Sequence, residues 1–373
     1  MIRLLFTGYV ARRPGGMETF MRTLASELPK DEFHINILSI DSPPPGVQEM
    51  FAAMNVRFFS PQRRSITKKR KEDIHTVIET TGLIDIIHCN GSPDIWHWLD
   101  GAKEVGIPVR IFHGHHPIQK HGGFFRELYI RHRAIPLLAR YATHCVFCSQ
   151  YVMNEWIRLR ANDLTPCEVK YCGVDCSPFE NVTDSLRTSL GIPEDAIVFG
   201  HVGRFSRVKN HSFLIEIFKE IAVREPRAYF LLVGSGQREK QVQRHIARLG
   251  LENRVILTGH RDDIPDLLAT MNVFILPSFF EGWSLVAAEA HAVGVPSLCS
   301  DKTGISLETC LLPGMIQTLS LKSSAACWAE AAIAKTNEVL PPRNQCLEAV
   351  RNAPFELSRV TQSFADYYRR CLR

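Results

Sequence analysis

The chain has 373 residues, 44 Lys and Arg against 39 Asp and Glu, a formal net charge of +5, 45% hydrophobic and 22% charged residues. These values exclude bulk disorder, and the length predicts roughly two or three domains with full cores. No apolar run approaches the ~18 residues of a membrane-crossing helix, and the basic excess is too small by itself to indicate nucleic acid. The opening MIRLLFTGYVARR has too short an apolar stretch for a secretory signal and reads as a first buried strand. The cysteine count is odd, at 11, and Cys145, Cys148 and Cys299 sit inside apolar runs. That usage predicts reduced thiols and a cytoplasmic protein. Cys145-x-x-Cys148 lacks a second such pair or a His pair at metal spacing, so it predicts a buried strand, not a zinc site.

In chain order, Ile2–Thr7 is an apolar run, Gly8–Gly16 a glycine-rich turn, Met17–Leu28 a helix with Phe20, Leu24 and Leu28 on one face, and Phe33–Ile40 a strand. Strands follow at Val56–Phe59, Ile84–His88, Val109–His113 and His144–Ser149, with helices at Thr67–Thr80, Ile95–Val105 and Gly123–Tyr141. A Pro/Gly/Asp-rich stretch, Tyr171–Pro193, precedes a second alternating series. Its strands are Ile197–Val202, Tyr229–Val233, Val255–Thr258, Val273–Pro277 and Pro296–Ser300. Its helices are Ser212–Glu225, Gln237–Leu249, Asp263–Ala269 and Ser284–Ala292. Phe355–Leu372 is a further helix with Val360, Phe364, Tyr367 and Tyr368 on one side. The pattern predicts an α/β fold of two doubly wound domains, with ligand loops at the carboxyl ends of the strands and a cleft between the domains.

Three loops carry candidate chemistry. Gly15 and Gly16 precede the first helix, where backbone can approach a phosphate, although Gly-Gly also makes an ordinary turn. Gly203–Asn210 follows a strand and carries Arg204 and Lys209, two cations placed to converge with a helix N-terminus on a diphosphate. Pro277–Ala290 holds Glu281 beside Gly282, then Glu289 in an apolar helix. A carboxylate there is costly unless something satisfies it, and two neighbouring ribose hydroxyls would.

Glu281-x7-Glu289, taken with Asp85-Ile-Ile-His88, His113, Tyr171-Cys-Gly173-Val174-Asp175, Val202-Gly203-Arg204, Lys209, Val233-Gly234-Ser-Gly236 and Gly259-His260-Arg261, resembles the retaining glycosyltransferases of family 4 over nearly the whole chain. The general character is similar to that of bacterial exopolysaccharide and capsule enzymes. The resemblance implies a GT-B architecture: a Rossmann-like acceptor domain over 1–178, a nucleotide-sugar domain over 179–354, and 355–373 returning to the first. It implies transfer of a hexose-type sugar from a nucleotide sugar, UDP by family habit, to a glycan or polyprenyl-linked acceptor in surface polysaccharide biosynthesis. Gly15 and Gly16 would meet the donor diphosphate, Arg204 and Lys209 would neutralise it, Glu281 would bind sugar hydroxyls and Glu289 the ribose. Gly282, Trp283, Ser284, Leu285 and Val286 would line the loop and helix start. His113 would contact the donor sugar, and Arg261 would lie at the base.

Asp262-Asp263 reads as a helix N-cap with acidic first-turn residues and not as a metal pair, so neither metal nor cofactor is expected. His115 and His116 are expected along the acceptor side or in solvent. Trp283 is bulkier than the family pattern and bears on donor choice. Arg57–Lys71 carries seven basic and no acidic residues, and Gly123–Tyr141 mixes arginines with aromatics. Together they suggest peripheral contact with anionic lipid on the inner membrane face. Without an aromatic stacking platform, the basic run does not suggest RNA. An epimerase or phosphorylase of the same architecture, or a non-catalytic glycan-binding scaffold, are the alternatives.

Overall fold

A computed structural model describes residues 1–8, 16–39, 45–60, 70–118, 127–158, 166–183, 186–303 and 311–373. The chain divides into two compact units, Met1–Gly173 with Leu357–Arg373, and Val174–Glu356.

The first unit is built on seven strands: β1 (Ile2–Gly8), β2 (Phe33–Ser39), β3 (Arg57–Phe59), β4 (Ile86–Gly91), β5 (Val109–Gly114), β6 (His144–Phe147) and β7 (Cys167–Val169). They lie in the order β3-β2-β1-β4-β5-β6-β7, every pair parallel. Such a sheet is covered on both faces, which is why Leu4, Leu5 and Phe6 follow one another in β1 and all three are fully buried. The direction of winding reverses between β1 and β4, the place where ligands meet open α/β sheets. Helix Leu357–Cys371 returns to this unit and buries Phe364, Tyr367 and Tyr368 in it. Its guanidinium Arg369 grips Glu32, and Lys170 Nζ donates to Ser363 Oγ at 2.7 Å.

The expected helix over Gly123–Tyr141 is helical throughout its described part, 127–141, but not of one kind. A wide π turn, Ile130–Ala134, precedes helix Ile135–Tyr141. Pro136 at the start of that helix has no N–H and its ring crowds the preceding turn, which accounts for the widening. Residues 123–126, most of the basic run (61–69), Gly15 with the rest of the first glycine-rich loop (9–15), and Cys310 lie outside the described residues. The described cysteines form no disulfide among themselves, and most are buried.

The second unit holds β8 (Ile197–Val202), β9 (Ala228–Val233), β10 (Val255–Gly259), β11 (Val273–Leu276), β12 (Ser297–Ser300) and β13 (Ile316–Leu319). The order is β10-β9-β8-β11-β12-β13, again parallel throughout, with the reversal between β8 and β11. Phe199, Leu214, Phe218, Phe230, Ile275 and Trp328 fill the core between sheet and helices. Sequence spacing does not mark β13 or helices Ala325–Lys335 and Arg343–Arg351. Ser324 is the local signal for the first of these helices, since its hydroxyl accepts from Cys327 N at 3.2 Å as an N-cap.

Candidate active site

The loops at the carboxyl ends of β8, β9 and β10 are tied by backbone bonds: Gly203 N to Val233 O at 2.9 Å, Phe205 N to Ser235 O at 2.9 Å, and Gly234 N to Gly259 O at 2.7 Å. Gly234 has φ +130°, and a side chain there would bring Cβ within 2.2 Å of Gly203 O. Only glycine permits that approach. The loop after β8 is likewise fastened to the loop after β11. Asn210 (φ 54°, left-handed) donates from Nδ2 to Pro277 O at 3.1 Å, and Phe279 N donates to Val208 O at 2.8 Å.

This lacing brings Lys209 and Glu281 together at the switch point. Lys209 Nζ lies 2.7 Å from Glu281 Oε1, with side chains 17% and 13% exposed. Ser278 Oγ donates to the same oxygen at 2.7 Å, and Glu281 N donates to Lys302 O at 3.2 Å. The cation and the carboxylate expected at the leaving group and the sugar therefore pair with each other. Arg204, on the same loop as Lys209, is exposed, and its guanidinium makes no hydrogen bond among the described residues.

His201 beneath the loop has no counterpart in the sequence-based site. It is fully buried and donates from Nδ1 to Ile275 O at 2.8 Å, which leaves its Nε2 lone pair facing up. A Cβ on Gly203 would stand 3.0 Å from that nitrogen and 3.1 Å from Lys209 Cε, so the two side chains flank Gly203. Burial holds the imidazole well below its usual pKa. A histidine inside the apolar strand Ile197–Val202 is the signal that could have found it.

Helix Leu285–Ala292 begins after Gly282, Trp283 and Ser284, all buried, with Leu285 and Val286 half-buried. Trp283 packs edge-to-face on Phe355, ring centroids 5.1 Å apart. Trp283 thus stands at the helix start, as expected, with its ring packed against Phe355. Ser284 Oγ is buried with no hydrogen-bond partner among the described residues. The Glu289 side chain, half-buried, makes no hydrogen bond among the described residues, and desolvation pushes its carboxyl up to about 7.

Asp263 departs from expectation. Asp263 occupies the N-cap of helix Ile264–Ala269 but makes no capping bond. Its two oxygens instead take the Arg261 guanidinium, Nε to Oδ1 at 2.8 Å. The reason is geometric, since an arginine two residues back offers a bidentate partner stronger than a backbone amide. Arg261 is thus held in place beside β10.

The first unit places Gly16 at the exposed start of helix Gly16–Glu27, with open space where a Cβ would stand. His113 is fully buried, and its Nε2 has no hydrogen-bond partner among the described residues. Its Nδ1 faces His88 Nε2 at 3.0 Å, and Phe20 stands edge-on at 4.9 Å. His115, expected in solvent or along the acceptor side, is also buried, with Nε2 2.8 Å from Asn90 Oδ1, while His116 is exposed. The cause is position: the histidines alternate at the end of a central strand, under helix Gly16–Glu27 and the returning helix. On the basic surface, Lys71 pairs with Glu104 at 3.2 Å and Arg70 lies over Trp98 at 4.2 Å, while Arg57, Leu128 and Tyr129 are exposed.

Two units, each built on an all-parallel sheet, with a charged cluster at the switch point of the second, define a two-unit α/β protein whose family its relatives identify. Residues 14–178 match the family model Glycosyltransferase Family 4, and residues 182–310 match Glycosyl transferases group 1. Between them these models span most of the chain, which belongs to the family 4 glycosyltransferases. It is 24% identical over 371 residues to the putative glycosyltransferase EpsF of Bacillus subtilis, covering 95% of this chain and 93% of that one. It is 26% identical over 300 residues to an Escherichia coli UDP-Gal:alpha-D-GlcNAc-diphosphoundecaprenol alpha-1,3-galactosyltransferase, covering 74% of each. Among solved structures, Anabaena HepE in complex with UDP and glucose superposes with a TM-score of 0.80 at 21% identity, covering 99% of this chain and 100% of that one. The likeness shows the fold, which is GT-B.

Proposed function

We propose that this glycosyltransferase moves a hexose-type sugar from a UDP-sugar to a glycan carried on a polyprenyl diphosphate, in bacterial surface polysaccharide biosynthesis, with retention and without a metal or other cofactor. The observation that carries the reading is the Lys209–Glu281–Ser278 cluster at the β8/β11 switch, with the unsatisfied Glu289 on the helix that follows. The named activity of the E. coli relative and the UDP complexes of HepE support the donor and the lipid-linked acceptor.

Glycosyl transfer builds negative charge on the departing diphosphate and positive charge on the anomeric carbon. Lys209 and Arg204 supply fixed cations for the former, the kind of preorganised electrostatics that is often the largest catalytic term. Glu281, braced by Ser278, takes sugar hydroxyls when Lys209 turns to the phosphate. Glu289 accepts from the ribose hydroxyls and recovers its charge. Gly16 offers a backbone amide at a helix start, and Arg261 flanks the base. The acceptor attacks the face the diphosphate leaves, and a phosphate oxygen takes its proton.

The lipid-linked acceptor places the enzyme on the cytoplasmic face of the membrane. No helix among the described residues is long and apolar enough to cross it. Docking through Arg57–Lys71 and Gly123–Tyr141, with Leu128 and Tyr129 exposed among arginines, predicts flotation with anionic but not neutral liposomes. The decisive experiment is calorimetric titration with UDP and GDP, with and without EDTA. UDP binding unaffected by EDTA is expected. Binding of neither nucleotide overturns the reading, and binding abolished by EDTA overturns metal independence.

A further inference from the structure

The first unit contains a chain of hydrogen bonds that the transfer chemistry above leaves unused. Tyr368, on the returning helix, brings its hydroxyl to 2.7 Å from His88 Nδ1 on β4. His88 Nε2 lies 3.0 Å from His113 Nδ1 on β5. All three side chains are buried, and His113 Nε2, at the far end, has no hydrogen-bond partner among the described residues. The rings of Phe20 and Phe364 flank both histidines. Burial keeps both imidazoles neutral, with His88 pushed down to about 3 and His113 well below its usual value.

A neutral imidazole has one N–H and one lone pair, so the chain admits two proton arrangements. In the first, Tyr368 O–H donates to His88 Nδ1, His88 Nε2–H donates to His113 Nδ1, and His113 carries its proton on Nε2. In the second each proton is reversed, and His88 Nδ1–H donates to the Tyr368 oxygen. The hydroxyl proton of Tyr368 then has no acceptor among the described residues, and the His113 Nε2 lone pair has no donor. The first arrangement leaves one buried group unmatched and the second leaves two. An unmatched buried polar group carries its full desolvation penalty, so the first prevails.

We propose that Tyr368 and His88 are positioning residues that hold His113 as the tautomer protonated at Nε2, a fixed and uncharged hydrogen-bond donor for an oxygen of the substrate. The substrate role rests on the glycosyl-transfer reading, whereas the tautomer does not. An uncharged donor suits that chemistry, because it orients an oxygen without setting a second positive charge near a carbon that is itself becoming positive. The returning helix becomes part of the site through the proton order it imposes, although its hydroxyl touches no ligand.

The test is a long-range proton–nitrogen correlation spectrum of the full chain labelled with ¹⁵N-histidine, assigned through His88→Gln and His113→Gln. In the unsubstituted protein both His88 and His113 should be protonated at Nε2 and bare at Nδ1. Tyr368→Phe removes the first donor, so both rings should shift toward the Nδ1-protonated form, with kcat for sugar transfer falling about tenfold. A His113 protonated at Nδ1 in the unsubstituted protein overturns the proposal, as does a Tyr368→Phe spectrum with His88 and His113 unchanged. The spectrum of the unsubstituted protein decides the tautomer even if Tyr368→Phe does not fold. It needs no nucleotide sugar, so a failure of the donor titration and a failure of this assignment are separately visible.

Discussion

The two units share a topology and spend it differently at their strand ends. In the second unit the switch point holds a charged pair, Lys209 and Glu281, partly open to water and braced by Ser278. In the first, the equivalent strand ends hold imidazoles and an amide, His88, His113, His115 and Asn90, all fully or almost fully buried. Burial decides the difference. A side chain that keeps some water and a close counter-charge stays ionised, while one sealed under two helices is stripped to its neutral form and must be ordered by hydrogen bonds. The same fold therefore presents a charged pair in one unit and neutral imidazoles in the other.

The contrast breaks most severely if the charged pair is opened. Lys209→Met leaves the Glu281 carboxylate without its counter-charge. Turnover should fall on the order of 10²–10³-fold, and urea unfolding should show a loss of about 3 kcal/mol, the lower end for such pairs given its residual exposure. An unchanged turnover would remove Lys209 from the chemistry. A middle-sized effect is expected at Glu289. Glu289→Gln should weaken UDP binding by about 1–3 kcal/mol in calorimetry. The carboxyl also gives the ligand-free protein a pH signature, because its folded pKa is raised from 4.5 to about 7. Between those values the native state binds the extra proton, so stability falls as pH rises through this window, by about 2–3 kcal/mol, and then levels. Unfolding midpoints of Glu289→Gln should lack that slope, and UDP affinity of the unsubstituted protein should gain as pH rises through 7. The smallest effect is expected at Arg369→Ala. Its pairing with Glu32 is about one-third exposed on both sides, so its loss should lower the unfolding midpoint in a thermal scan only slightly, with UDP binding unchanged.

Much of this was legible in the sequence because the determinants are local. Alternating apolar runs and helical faces mark β1, β8, β9, β11 and the helices between them, and Lys209 and Glu281 lie in loops that directly follow strands. Other features are not local. Tyr368 and His88 are 280 residues apart and meet only when the returning helix lies on the first unit, so no spacing rule pairs them. Three-residue strands such as β3 and β7 are too short to show a period. Asp263 has the residue type and place of a cap, yet Arg261 outbids the backbone amides for its oxygens. The strand-end position of His113 is legible in the sequence, but its packing against Phe20, His88 and Phe364 is visible only in the fold.

The first unit is not one continuous stretch of chain, since Leu357–Arg373 joins it after Val174–Glu356 has intervened. During synthesis the ribosome delivers all seven strands of its sheet long before the helix that covers Phe20 and His88. The nascent sheet must therefore wait, with aromatic surface exposed, while a second unit able to fold as a body is made. Nascent chains halted before residue 357 should be recognised by chaperones and proteases as unfinished, and the arrival of one late helix both seals that surface and sets the protons beneath it.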